Sequence, residues 1–162
     1  MLMILAMSVF RYLTISLFLI VIFVTTHGFA KKAAIVIDFD TKEVLFEVNA
    51  NTKNYPASLT KIMTLYILFD RLEKNQITDE TKLKVSRIAA SRSPSKLYLK
   101  EGSTIKVEDA IMALIIKSAN DVATVVAENI SGTEKEFAKL MTSDARDLGM
   151  TNTTFKNASG LP

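Results

Sequence analysis

Two residues in this chain have the types and spacing to do chemistry together: Ser58 and Lys61, in Pro56-Ala57-Ser58-Leu59-Thr60-Lys61-Ile62-Met63. Lys61 is the only charged residue from Ala57 to Phe69. An ammonium in such apolar company is costly unless it is paired or loses its proton. The single histidine, His27, lies in an N-terminal segment expected to be removed, so imidazole is not available to activate a serine. Positions three apart on a helix share a face, which sets the Ser58 hydroxyl beside the Lys61 amine. A lysine kept neutral by burial can act as general base to a serine nucleophile. Near a helix N-terminus the serine also has unpaired backbone N–H groups at hand for a developing oxyanion. A second pair of polar groups, Ser118 and Asn120 in Ser118-Ala119-Asn120, offers a hydroxyl and a carboxamide to one pocket.

The four-residue Ser-x-x-Lys pattern is common by chance. Ser93-Pro94-Ser95-Lys96 also fits it, but lies in a basic, polar stretch where the lysine is expected to be solvated. The elements around Ser58 are more informative. Pro56 suits the first turn of a helix, and the apolar run to Leu72 is too long for a strand, which predicts a buried helix over Pro56–Glu73. Upstream, Ala33–Ile37 and Val44–Val48 flank an Asp/Thr/Lys turn and predict an antiparallel hairpin. Residues 74–106 read as loop-rich with short strand or helix pieces and a turn at Glu101-Gly102. Helices are expected over Val107–Ile116 and Asp121–Ile130, with Ser118-Ala119-Asn120 between them. Thr133 and Glu136 form a capping-box pattern that starts a third, ending at Gly149. Residues 150–162 read as loop. A two-stranded hairpin is marginal alone and calls for more strands.

At 162 residues the prior is one domain, and the net charge of +3 gives little support to a nucleic-acid role. Lys82, Lys84, Arg87, Arg92, Lys96 and Lys100 occur without an intervening acid and read as a solvated face. Arg11, the apolar run Leu13–Thr25 and the small residues of Gly28-Phe29-Ala30 read as a secretory signal over residues 1–30, cleaved after Ala30. That predicts export, to the periplasm or the outer face of the inner membrane. There is no cysteine, hence no disulfide and no thiolate metal site, and no cofactor is called for.

Taken together, Ser58-Leu59-Thr60-Lys61, Ser118-Ala119-Asn120 and Asn157-Ala158-Ser159-Gly160-Leu161-Pro162 resemble the penicillin-interacting serine enzymes, whose signatures are S-x-x-K, S-x-N and K-[ST]-G. The surroundings are most similar to the serine D-alanyl-D-alanine carboxypeptidases, the low-molecular-weight penicillin-binding proteins. The resemblance covers nearly all of residues 31–162. It implies an α+β fold of the β-lactamase/DD-peptidase kind: the N-terminal hairpin of an antiparallel sheet, then a helical cluster. It implies acyl transfer on the stem pentapeptide of peptidoglycan, with Ser58 as nucleophile, Lys61 as proton acceptor, Ser118 as proton relay and Asn120 orienting the substrate. β-Lactams would acylate Ser58 as substrate mimics.

One departure is large: no Lys-Thr-Gly or Lys-Ser-Gly occurs in the 162 residues. In the family that triplet lies on a later sheet strand, so the sequence is expected to hold a truncated catalytic domain, inactive or nearly so alone. A class A-like β-lactamase is the enzymatic alternative, although Ala119 stands where its Asp would and residues 150–162 hold no acid. A non-catalytic remnant is the other alternative. It would bind muropeptides or pair its open sheet edge with a complementary C-terminal polypeptide.

Overall fold

The computed structural model describes residues 32–161, so the expected signal segment lies outside the described residues. The chain divides between Asn54 and Tyr55 into two compact units. In the first, β1 (Ala34–Ile37) pairs antiparallel with β2 (Val44–Val48), as the sequence predicts. The register shifts between Val36 and Ile37, leaving Leu45 as a bulge. Asp38 closes the turn by accepting hydrogen bonds from the Asp40 and Thr41 amides and the Thr41 hydroxyl. The Thr41 bonds chiefly hold its carboxyl below the usual carboxylate range.

The second unit carries the candidate site. A 3-10 turn (Ala57–Thr60) leads into α1 (Lys61–Glu73). A short antiparallel pair, β3 (Lys82–Lys84) and β4 (Thr104–Lys106), brackets a one-turn helix, α2 (Arg87–Ala90). Next come α3 (Val107–Met112), a wider π-helical turn (Ala113–Lys117), α4 (Asn120–Ser131) and α5 (Glu134–Asp147). Among the described residues, the additional strands that the hairpin calls for form a separate two-stranded sheet and do not extend β1–β2.

The axis of this unit is α4. Every residue from Asn120 to Ala127 is buried, where a surface helix would bury one stripe. Small side chains (Ala123, Val125, Val126, Ala127) let α1, α5 and β3 approach it closely, and Ile67, Leu68, Val85, Val107, Phe137 and Met141 fill the core around them. Near its end Asn129 grips β3 as a neighbouring strand would: its Oδ1 accepts from the Lys84 amide and its Nδ2 donates to the Lys84 carbonyl, both at 2.9 Å. Thr133 caps α5 by accepting from the Glu136 amide, as the Thr-x-x-Glu pattern predicts. The tail after α5 is irregular, as expected, but it is not loose. The Phe155 amide donates to the hydroxyl of Thr142, which itself donates to the Ala138 carbonyl, and so the chain is led back toward α1.

Candidate active site

Ser58 sits in the 3-10 turn, one turn earlier than the α-helix proper. Ala57, within the stretch the sequence predicts as helix, takes φ +48°, a left-handed conformation outside α-helical geometry, and the α-helix proper begins at Lys61. The consequence for the serine is exposure, while Lys61 at the first α-helical position is buried, with 2 % of its surface accessible. The expected pair forms: Lys61 Nζ lies 3.3 Å from Ser58 Oγ. Burial pushes the Lys61 amine below the usual lysine range, favouring the neutral form that can accept a proton.

Sequence reasoning missed the third member of this group. Lys61 Nζ donates to the carbonyl of Ser159, 3.1 Å away and 98 residues later in the chain. An N–H committed to that carbonyl anchors the amine within reach of Ser58. The segment carrying Ser159 is held from several sides. Thr64 Oγ1 donates to the Ala158 carbonyl at 2.8 Å, and Asn157 Oδ1 accepts from the Ser159 and Gly160 amides. Gly160 takes φ +80° with its α-carbon against the Ala57 carbonyl and the Thr60 hydroxyl, where any Cβ would overlap both. The signal was present as Asn-x-Ser-Gly, but a backbone carbonyl has no residue type to betray its role.

Ser118 ends the π-helical turn in the left-handed region (φ 54°, ψ 42°) and is half-buried. Ala57, which precedes Ser58, and Ser118, a member of the second polar pair, are two of the six described non-glycine residues with positive φ. Such residues cost about 1–3 kcal/mol each and cluster at functional sites. Asn120 is buried at the start of α4; its amide donates to the Ser95 carbonyl at 2.7 Å and its Nδ2 to the Ser93 carbonyl at 3.0 Å. Its Oδ1 has no partner among the described residues. It lines a cavity of ≈ 150 Å³ with Arg92, Ser93, Glu134, Asn157 and Ser159. Among the described residues no hydrogen bond joins Ser118 or Asn120 to Ser58 or Lys61.

The second Ser-x-x-Lys stretch serves this loop. Its Lys96 is half-buried rather than solvated, bonded to the Ala90 carbonyl and lying over the Tyr98 ring. Next to Asn120, the fully buried Asp121 accepts from the Leu97 and Leu99 amides at 3.1–3.2 Å. Asp121 therefore fixes the 93–99 loop to α4, a role beyond the cap that its position suggests. Substituting Asp121 by Ala is expected to destabilise the fold by about 2 kcal/mol, because two loop amides lose their acceptor. Urea denaturation measures this; a midpoint equal to that of the unaltered chain would show water replacing the carboxylate.

The model of the D-alanyl-D-alanine carboxypeptidase family matches residues 23–162. The chain belongs to this family. It is 41 % identical over 130 residues to D-alanyl-D-alanine carboxypeptidase DacF of Bacillus subtilis, covering 80 % of this chain and 33 % of that one. Over 136 residues it is 38 % identical to DacC of Escherichia coli, again covering 80 % of this chain and 34 % of the relative. The chain thus spans about a third of the length of these curated relatives. Among solved structures, the carboxypeptidase DacD of Francisella tularensis superposes with a TM-score of 0.78 at 37 % identity, covering 80 % of this chain and 32 % of that one. Penicillin-binding protein D2 of Listeria monocytogenes in its ampicillin-bound form superposes at 0.72 with 32 % identity, covering 85 % and 55 %. The α+β reading of a carboxypeptidase N-terminal part agrees with these neighbours.

Proposed function

We propose that this chain supplies the acylating half of an exported serine D-Ala-D-Ala carboxypeptidase. The observation that carries the proposal is an exposed serine hydroxyl 3.3 Å from a buried amine that burial drives toward neutrality. Ser58 Oγ attacks the carbonyl between the two terminal D-alanines of a peptidoglycan stem peptide while its proton passes to Lys61 Nζ. A C–O bond to the enzyme forms, the C–N bond breaks, and Ser118 relays a proton to the departing D-alanine amine. The Asn120 carboxamide orients the substrate backbone, and water then releases the acyl group from Ser58. β-Lactams enter the same sequence as substrate mimics, in keeping with the ampicillin-bound structure of the Listeria relative. The 162 residues contain no Lys-Ser-Gly or Lys-Thr-Gly triplet, so the groups assigned here are the nucleophile, base, relay and orienting amide only. Export to the periplasm or the outer face of the inner membrane belongs to the same proposal, supported by Arg11, the apolar run after it and Gly28-Phe29-Ala30.

Intact-mass analysis after incubation with benzylpenicillin tests the acylating step. A persistent adduct is expected, mapped by peptide digestion to Ser58 and missing from Ser58→Ala. An adduct at another residue, or none at millimolar drug, refutes the assignment. Rapid hydrolysis of the drug would instead favour a β-lactamase.

A further inference from the structure

The run of basic residues places Arg92 on a solvated face, yet in the structure it is drawn inward to a carboxylate. Its guanidinium pairs with Glu134 Oε2 and its Nε donates to Thr124 Oγ1 at 2.9 Å. Glu134 opens α5 and is largely buried, with 14 % of its side chain accessible, and Thr124 is fully buried in α4. The second Glu134 oxygen, Oε1, accepts from the backbone amide of Ala158 at 3.2 Å. One peptide unit later, the Ser159 carbonyl accepts from Lys61 Nζ. The ion pair therefore reaches the candidate base through a single fixed segment. Its two charged members also line the cavity beside Ser159 and Asn120.

We propose that Glu134, with Arg92 as its counter-charge, is the positioning residue for the Lys61 amine: it pins the Ala158 amide so that the Ser159 carbonyl meets Nζ. Three properties make the arrangement more than packing. The carboxylate is the acceptor for the Ala158 amide, while the carbonyl of Ala158 is bound by Thr64, so this residue is held at both of its backbone polar groups. Arg92 pairs with the remaining carboxylate oxygen and so fixes the orientation of the group. Burial lowers the Lys61 affinity for protons. Arg92 and Glu134 reach Lys61 through the geometry of the Ala158–Ser159 segment.

The proposal rests on the reading of Lys61 as a base, so its test needs a readout that does not depend on acylation. The Lys61 midpoint can be followed by NMR of the purified protein labelled at lysine Cε, with Lys61→Arg identifying the resonance. In Glu134→Ala the segment beside Lys61 loosens and water gains entry, so the midpoint is expected to rise toward the ordinary lysine value. The rate of benzylpenicillin acylation at neutral pH should fall at least about tenfold, with its rise displaced to higher pH by the same interval. Glu134→Gln keeps an oxygen for the Ala158 amide and should restore the midpoint and most of the rate. Should Glu134→Ala fail to fold by circular dichroism, Arg92→Ala, which frees the carboxylate to swing away, is expected to shift the midpoint in the same direction. An unmoved Lys61 midpoint in a folded variant overturns the positioning role, whatever happens to the rate. A shifted midpoint in a protein that penicillin never labels upholds the role and refutes the acylating function instead.

Discussion

Replacing Lys61 by methionine is expected to lower the rate of penicillin acylation by about 10²–10⁴-fold, the usual contribution of a positioned general base, while the protein stays folded. Methionine approximates the length of the stem and suits the apolar surroundings that make the amine costly. The same substitution should change how stability depends on pH. In the native state burial holds the Lys61 midpoint below that of the unfolded chain. Between the two midpoints the unfolded chain binds more protons, so Lys61 makes stability rise with pH from the native midpoint up to the ordinary lysine value of about 10.4. Below the native midpoint its buried ammonium is a net burden. Lys61→Met removes that slope, and urea midpoints taken across neutral to alkaline pH should show a flatter profile than the parent. In the unaltered protein, acylation should climb with pH through the native Lys61 midpoint and level off above it. A rate that keeps climbing to about 10.4 would mean an ordinary lysine. A Lys61→Met variant that still acylates at the parent rate would remove the base from the mechanism.

A larger structural penalty is expected at Gly160. Alanine there must adopt φ near +80° and place a methyl group onto the Ala57 carbonyl and the Thr60 hydroxyl. The left-handed backbone and the overlap together should cost about 2–5 kcal/mol. Since the closest overlap is with backbone, relief comes by moving the 157–160 segment off the start of α1. That withdraws the Ser159 carbonyl from Lys61, so acylation should fall by about 10² or more even where the fold survives. Gly149→Ala separates the two causes. Gly149 has an equally positive φ (+81°) but open space where its Cβ would stand. It should therefore cost only about 1–2 kcal/mol and leave acylation alone. Thermal unfolding and penicillin labelling of the two variants decide the point; equal losses in both would mean that the close approach is unimportant.

What could be read from the sequence follows from the range over which each signal acts. Val, Ile and Phe on both sides of Asp38–Glu43 specify the hairpin locally, and Thr133 with Glu136 specifies the start of α5 within four residues. Ser58 and Lys61 are legible for the same reason: one turn of helix brings them together. The α-helix α1 begins later than the sequence predicts, after a 3-10 turn that opens on a left-handed Ala57 packed close to Gly160, and nothing in an alanine announces that conformation. The Arg92–Glu134 pair spans 42 residues and reads as part of a solvated basic run, since charge patterning along a chain cannot see a partner on a distant helix. Asp121 is hidden in the same way. An acid at a helix start reads as a cap, while the amides it holds belong to a loop more than twenty residues upstream. The candidate base is visible in the sequence; its scaffold is not.

The reach of the Lys61–Ser159 bond also sets an order of events during the life of the chain. Residues 58–61 leave the ribosome well before residue 159, so a contact closing 98 residues cannot form until the later segment has been made. Until then Lys61 is hydrated, protonated and unable to take the serine's proton. On the proposed reading the serine is consequently dormant in the nascent chain, and becomes reactive only when the 157–160 segment docks. Under the proposed function, benzylpenicillin labelling should therefore report completed maturation of the site, distinguishing docked molecules from those still being made.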